Sequence, residues 1–326
     1  DLAEEIGKLR SAQVVALTPA GEPWLHDPER VESELTGLAA AHPQGFDDIL
    51  VYGLPYPALA SGLQRMLRPG GVLAIEGDGP AAASCRVDIG SVHYRDHWFT
   101  GAPHGDPYEW DRTPELRPGG VAWFIGAGGP LGQMHLQRAL SLPRPPGKII
   151  VSQRGEARVE DLNRRFGALA AARGVQWVVL DAGALGDDVY EAVRQESGGQ
   201  GCDDICVVIP NAQVVEAAWN LLAPGGGMDI FAGVPVGTEA SLDLSRIATR
   251  GVRLWGTSGS SIADLRRILE WLESGKLATD RVVAAVGGIE AVKEGLVAVK
   301  EARFLGKTII YPHLRNLPLL SLEELA

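Results

Sequence analysis

Val121-Ala122-Trp123-Phe124-Ile125-Gly126-Ala127-Gly128-Gly129-Pro130-Leu131-Gly132 decides how this chain is read. Five apolar residues with no polar alternation are the pattern of a strand buried on both faces, as in a parallel sheet. The glycine-rich turn then gives way to Leu131–Ser141, whose apolar spacing is helical. Small residues let the backbone turn sharply and approach a pyrophosphate, and the helix N-terminus offers free N–H groups and a positive dipole end to it. The glycines fit two spacings: A-x-G-x-x-G on Ala127, Gly129 and Gly132 with an extra glycine before it, or G-x-G-x-x-x-G on Gly126, Gly128 and Gly132. Gly126, Ala127, Gly128, Gly129, Pro130, Leu131 and Gly132 are therefore the expected dinucleotide-binding residues.

Outward from this turn, strands and helices alternate. Strands are expected at Lys148–Ser152, Val175–Leu180, Asp204–Ile209, Gly227–Phe231 and Val252–Gly256. Helices are expected at Asp161–Ala172, Asp187–Gln195 and Gln213–Leu222. Alternation of this kind builds right-handed βαβ crossovers and a doubly wound parallel sheet. Ser261-Ile262-Ala263-Asp264 reads as a capping box, with Leu265, Ile268, Leu269 and Leu272 on one helix face and Gly275 as its stop. A further helix from Ile289 to about Ala302 leads to a strand at Lys307–Tyr311, and the residues after Pro312 read as a tail or docking arm.

The chain also repeats itself. Phe46-Asp47-Asp48-Ile49-Leu50-Val51 matches Cys202-Asp203-Asp204-Ile205-Cys206-Val207, and Leu67-Arg68-Pro69-Gly70-Gly71 matches Leu222-Ala223-Pro224-Gly225-Gly226. Asp88, Arg95 and Gly101 then stand in register with Asp243, Arg250 and Gly256, and Asp1-Leu2 to Gly7 resembles Asp161-Leu162 to Gly167. The second copy carries the glycine turn and the first does not. The expected organisation is a partial Rossmann-like unit over 1–117, a complete Rossmann unit over 118–312 and a C-terminal tail over 313–326.

Composition narrows the partners. The chain has 326 residues and a formal net charge of −11. That sign argues against nucleic acid, whose binding rests on Lys and Arg neutralising phosphates. No stretch has the apolar length of a membrane span and no signal peptide is evident, so a cytoplasmic setting is the default expectation. The three cysteines, Cys85, Cys202 and Cys206, are too few for a disulfide framework, and Cys206 sits within an apolar run as a core thiol.

Cofactor preference is read at the end of the second strand, where an acidic residue takes the ribose hydroxyls of NAD. Gln153 and Arg154 stand there instead. An Arg attracts a 2′-phosphate, so NADP is favoured over NAD, although nearby Glu156 pulls the other way.

From residue 117 to 312 the sequence resembles the medium-chain dehydrogenase/reductase superfamily, the zinc alcohol dehydrogenase relatives, in its threonine dehydrogenase-like and sorbose-1-phosphate reductase-like branch. The resemblance lies in the order of several blocks: Leu116-Arg117-Pro118-Gly119-Gly120 before the glycine turn, Leu222–Gly226, Leu242-Asp243-Leu244, Gly256-Thr257-Ser258-Gly259, Leu272–Leu277 and Gly306-Lys307-Thr308-Ile309-Ile310. It implies that the nicotinamide lies against backbone near Pro210-Asn211, Gly233-Val234 and Thr257-Ser258. It also implies an oxidoreductase acting on an alcohol, polyol or sugar phosphate as its small-molecule substrate. The family's β-rich catalytic domain and its Cys and His-Glu zinc ligands are not recognisable here, so zinc is expected only if such a domain lies upstream of Asp1, and no catalytic residue is assigned. His93 and His97, four apart, are the best local metal candidates and weak ones; His104 has no assigned role. His135 is expected to pack on its helix or face solvent. The competing reading is a nucleotide-binding or redox-sensing module without chemistry of its own. Relatives pair their edge strand, here Val252–Trp255, across a dimer; its counterpart at His97–Thr100 allows the same pairing within one chain.

Overall fold

The structure is a computed structural model that describes residues 27–53, 57–77, 84–101 and 115–325. The expectations placed on Asp1–Gly7 and on His104 lie outside these residues. In chain order the elements are α1 (Pro28–Ala41), β1 (Phe46–Tyr52), α2 (Pro57–Arg65), β2 (Leu67–Glu76), β3 (Cys85–Asp88), α3 (Ile89–Tyr94), β4 (Trp98–Thr100), β5 (Val121–Ile125), α4 (Pro130–Ser141), β6 (Lys148–Gln153), α5 (Glu156–Ala172), β7 (Gln176–Asp181) and α6 (Ala182–Leu185). They continue with α7 (Asp188–Glu196), β8 (Cys202–Val207), α8 (Ala212–Trp219), β9 (Leu222–Ile230), β10 (Glu239–Leu242), α9 (Ser245–Arg250), β11 (Arg253–Trp255), α10 (Ile262–Glu273), β12 (Val283–Gly288), α11 (Val292–Lys300), β13 (Lys307–Tyr311), β14 (Leu320–Ser321) and α12 (Leu322–Leu325).

The buried run at 121–125 becomes the inner strand β5 because both its faces are covered. Ala122 and Phe124 point to a core shared with Leu136 and Leu140 of α4 and Leu162 and Phe166 of α5. Trp123 and Ile125 point to the opposite core, with Val193, Ile205, Val207, Met228 and Ile230. Alternation along a strand sends successive side chains to opposite faces, so a strand between two helical layers must be apolar throughout. Around it the strand order is β9-β8-β5-β6-β7, all parallel.

The sheet does not stop at β9. It runs on through β11, β4, β2 and β1 to nine strands, and the β4–β11 pair is its one antiparallel junction among the described residues. The run β1-α2-β2-β3-α3-β4 repeats as β8-α8-β9-β10-α9-β11. Leu254 pairs with Phe99, its own counterpart in the repeat, so a local twofold relates the two copies. A second antiparallel pair, β3 with β10, obeys the same symmetry. Trp98 and Trp255 stack across the junction, centroids 5.3 Å apart and planes 13° from parallel. Such a pair contributes roughly 0.5–1.5 kcal/mol beyond the area it buries.

The repeated motifs have structural work to do. Gly70 and Gly225 adopt φ of 77° and 69°, making the same turn in both copies. A Cβ on Gly71 would lie 3.1 Å from Asp47 O, and one on Gly226 3.1 Å from Asp203 O, so both strands cross their neighbour at a bulge that only glycine allows. The Asp-Asp pair secures the strand entry: Arg117 Nη1 binds Asp203 at 2.5 Å, and Arg68 Nη1 binds Asp47 at 2.8 Å.

Some boundaries differ from expectation. The helix expected from Asp161 begins at Glu156. The strand expected at Gly227–Phe231 starts back at Leu222, because the bulge lets pairing continue through Pro-Gly-Gly. The helix expected from Ile289 opens with a single 3₁₀ turn over Ile289–Ala291. The expected tail after Pro312 instead adds β14 antiparallel to β12, in a three-stranded sheet ordered β13-β12-β14. Its apolar Leu319 and Leu320 find a place beside Ala285 and Val286, which a reading by local polarity does not reveal. The capping box of α10 forms, with Ser261 and Asp264 satisfying each other's backbone N–H groups, yet Leu265 and Leu269 on its apolar face remain exposed. Among the described residues no helix is long and apolar enough to cross a membrane.

Candidate functional site

The crevice lies at the C-terminal ends of β5 and β8, where the strand order reverses around β5. That switch point is where open parallel sheets leave room for a ligand. Each small residue of the glycine turn has a distinct reason there. Gly126 has φ of 78° and lies against the Ile209 side chain. Gly132 packs directly on Ala127: a Cβ on it would sit 2.8 Å from both the carbonyl carbon and the Cβ of Ala127 and closer still to its Cα. Gly129 is different, since a Cβ there would meet nothing within 4 Å. Its outer side is open space. These are the three jobs of an A-x-G-x-x-G turn: a sharp bend, an open approach and tight helix packing. Pro130 occupies the first helical position, where no N–H is needed, and no side chain caps the helix from Gly129. The N–H groups of Leu131 and Gly132 thus face the opening uncapped, as an anion seat requires.

Gln153 and Arg154 stand beside the glycine turn at the end of β6. Gln153 is buried; its Oε1 accepts from Gly128 N at 2.8 Å, and its Nε2 donates to Arg154 O at 3.1 Å. The carboxamide therefore leans on the glycine turn as a neutral group. Arg154 is exposed at the tip of β6 and makes no ion pair with a described residue; Glu156 does not pair with it. Asp181, at the tip of β7, accepts from Gly155 N at 3.1 Å and from Gly183 N at 2.8 Å, and these backbone donors hold its carboxyl below the usual range.

On the other side, Pro210 and Asn211 are exposed just after β8, where the Asn211 side chain caps α8 through Val214 N at 3.2 Å. Gly233 is exposed beyond β9, whereas the Val234 side chain is in the core and leaves only its backbone available. Thr257 and Ser258 come directly after β11 and are exposed, but Ser258 N already donates to Asp96 Oδ1 at 3.1 Å. The fold thus brings every expected residue to one rim of the sheet and adds an element that sequence reasoning missed. α3, from the first copy of the repeat, is seated on the ends of β9 and β11. A Cβ on Gly90 would lie 2.7 Å from Val236 Cα, and one on Gly256 3.0 Å from His93 Cα. No spacing along the chain signals this contact, because it is made by the twofold.

His93 and His97 do not converge. His93 Nδ1 lies 3.0 Å from Ile230 O, at the crevice. His97 is buried near the start of β4, with neither ring nitrogen hydrogen-bonded, and burial pushes it down to about 4. The pair starts in a helix but straddles its end, so the i,i+4 geometry is lost. Among the described residues no group of three His, Cys, Asp or Glu could hold a metal ion, so they do not fit zinc and no step is derived through it. His135 packs edge-on against Phe231 at 4.2 Å, and burial with nearby Arg138 pushes it down to about 4. Cys85, Cys202 and Cys206 are buried and in no disulfide among the described residues, with burial raising each thiol. A cleft of about 540 Å³ lined by Arg117, Arg144, Asp204 and Arg253 lies at the opposite, N-terminal ends of the strands, away from the glycine turn.

The large, mostly parallel sheet with its glycine turn is a Rossmann-type nucleotide-binding architecture. No family model matches the sequence. The chain is 26% identical over 231 residues to mannitol-1-phosphate 5-dehydrogenase of Aliivibrio fischeri, covering 70% of this chain and 54% of that protein. It is 28% identical over 232 residues to L-sorbose 1-phosphate reductase of Klebsiella pneumoniae, again covering 70% and 54%. The chain spans about half the length of the curated relatives it matches. Among solved structures, 2R,3R-butanediol dehydrogenase from Bacillus subtilis superimposes with a TM-score of 0.48 at 18% identity, over 62% of this chain and 53% of that one. In sequence the chain is thus similar to dehydrogenases and reductases of the medium-chain, zinc alcohol dehydrogenase-like kind.

Proposed function

We propose that this chain is the cofactor-binding portion of an NAD(P)-dependent oxidoreductase acting on a polyol or sugar phosphate, with NADP(H) preferred. The observation that carries the reading is the contrast within the glycine turn, where Gly132 is locked onto Ala127 while Gly129 faces open space. A turn needed only for packing has no use for the second. The bound cofactor supplies the carbon that gives or takes a hydride. The chain's own residues do the holding: the uncapped N–H groups at the start of α4 seat the diphosphate, and neutral Gln153 with unpaired Arg154 favours a 2′-phosphate over bare ribose hydroxyls. The relatives named a sugar-phosphate reductase and a polyol-phosphate dehydrogenase support the substrate class.

Calorimetric titration of the purified chain with NADP(H) and NAD(H) tests this. Binding of both, tighter for NADP(H), is expected. Tighter NAD(H) binding removes the role given to Arg154, and binding of neither removes the reading altogether.

A further inference from the structure

The arm that the first copy of the repeat lays across the second carries more chemistry than packing needs. His93 is buried, with its ring edge-on to Tyr94 at 4.6 Å and to Phe231 at 6.3 Å. Its Nδ1 faces Ile230 O, which can only accept, so Nδ1 donates there, and in the tautomer that carries this single proton Nε2 is an acceptor. No described residue donates to that Nε2. It points toward Gly233: a Cβ placed there would lie 3.6 Å from His93 Nε2 and 2.7 Å from Tyr94 Oη. Tyr94 is half exposed, and its hydroxyl lies against Gly233. Asp96, on the same arm, holds the loop after β11 through Ser258 N. A histidine acceptor, a tyrosine hydroxyl and a clamped loop thus converge on the rim of β9 and β11. The glycine turn sits further along that rim, reached by way of Phe231 and His135.

We propose that His93 and Tyr94 form the polar wall for the nicotinamide half of the cofactor, with His93 Nε2 accepting from the carboxamide N–H, so that one copy of the repeat completes the site of the other. This rests on the reading of the glycine turn as the diphosphate seat. Of the cofactor's two ends, the adenosine belongs at Gln153 and Arg154, which leaves the pyridine ring for the Gly233 side. Its carboxamide is the N–H donor that an acceptor nitrogen there can use. Both are positioning residues.

The test separates the two halves of the cofactor. Wild type, His93→Phe and Tyr94→Phe are titrated with NADP⁺ and with 2′,5′-ADP, which lacks the nicotinamide; NAD⁺ and ADP replace them if the chain prefers NAD⁺. Phe keeps the ring but has no acceptor, and losing one hydrogen bond predicts NADP⁺ binding about tenfold weaker in His93→Phe and about threefold weaker in Tyr94→Phe, with 2′,5′-ADP unchanged in both. The Tyr94→Phe change removes a single hydroxyl from a half-exposed side chain, so it answers even if His93→Phe melts early. NADP⁺ affinity unchanged in both variants overturns the proposal. So does equal weakening of both probes, which signals a merely structural arm. If wild type binds neither probe, it is the glycine-turn reading that fails, and this proposal falls with it.

Discussion

Gly132 and Gly129 lie three residues apart in one turn, and the structure predicts opposite consequences for the same substitution. In Gly132→Ala the new methyl sits 2.8 Å from the carbonyl carbon and the Cβ of Ala127. Backbone cannot rotate aside, so the start of α4 must lift from the turn. Overpacking of this kind costs about 1–3 kcal/mol. For a chain of 326 residues the entropy of unfolding is roughly 0.7 kcal/mol per degree, so a cost of about 2 kcal/mol lowers Tm by about 3 °C. In Gly129→Ala the methyl meets nothing within 4 Å, and φ is −83°, a value open to any residue. The gain from stiffening the unfolded chain offsets the loss of a glycine N-cap, each a few tenths of a kcal/mol, so Tm stays within about 1 °C. The methyl does, however, stand in the open approach. Losing one charge-assisted hydrogen bond from the turn to the diphosphate costs about 1.5–3 kcal/mol, or about 10- to 150-fold in Kd. Thermal melts and calorimetric titrations of the two variants, side by side, read both effects. A Gly129→Ala protein that binds cofactor like wild type refutes the reasoning, as does a Gly132→Ala protein that melts unchanged.

Further expectations concern selectivity, the sheet junction and pH. Gln153→Glu keeps the acceptor for Gly128 N but places a negative charge where a 2′-phosphate is expected; the ratio of NADP to NAD affinities should fall at least tenfold by titration, and an unmoved ratio removes Gln153 from selectivity. Trp255→Ala removes the stack on Trp98 and empties the space over Gly227, at about 3–5 kcal/mol; denaturant unfolding should show the loss while 2′,5′-ADP still binds. Asp229 is raised by burial from 3.8 to about 7, and its Oδ1 has no hydrogen-bond partner. Because the folded value lies above the unfolded one, the contribution is fully present below pH 3.8 and is lost as pH rises through about 7. Asp229→Asn should therefore match wild type at pH 4 and exceed its stability at pH 8, on the order of 3 kcal/mol by urea unfolding; equal stability at both pH values contradicts the burial argument.

The sequence by itself determined what depends on neighbours along the chain. Five apolar residues at 121–125 forecast a strand covered on both faces, because no alternation means no solvent face. The glycine spacing forecast a tight strand–turn–helix, because φ and steric demand are local properties of Gly126 and Gly132. The internal repeat was legible too, through paired turns and aspartates that secure equivalent strands. What only the tertiary structure decided is how the copies meet. Phe99 against Leu254, Trp98 on Trp255, and His93 on Ile230 join residues more than a hundred positions apart. A twofold between edge strands sets these contacts, and it leaves no periodicity to read. The same symmetry carries His93 to the rim of the other copy. Leu319 and Leu320, unremarkable in a terminal segment, become part of a sheet only once Ala285 and Val286 are beside them. Local conformation is written in short spacings, whereas burial is a property of whatever the folded chain brings alongside.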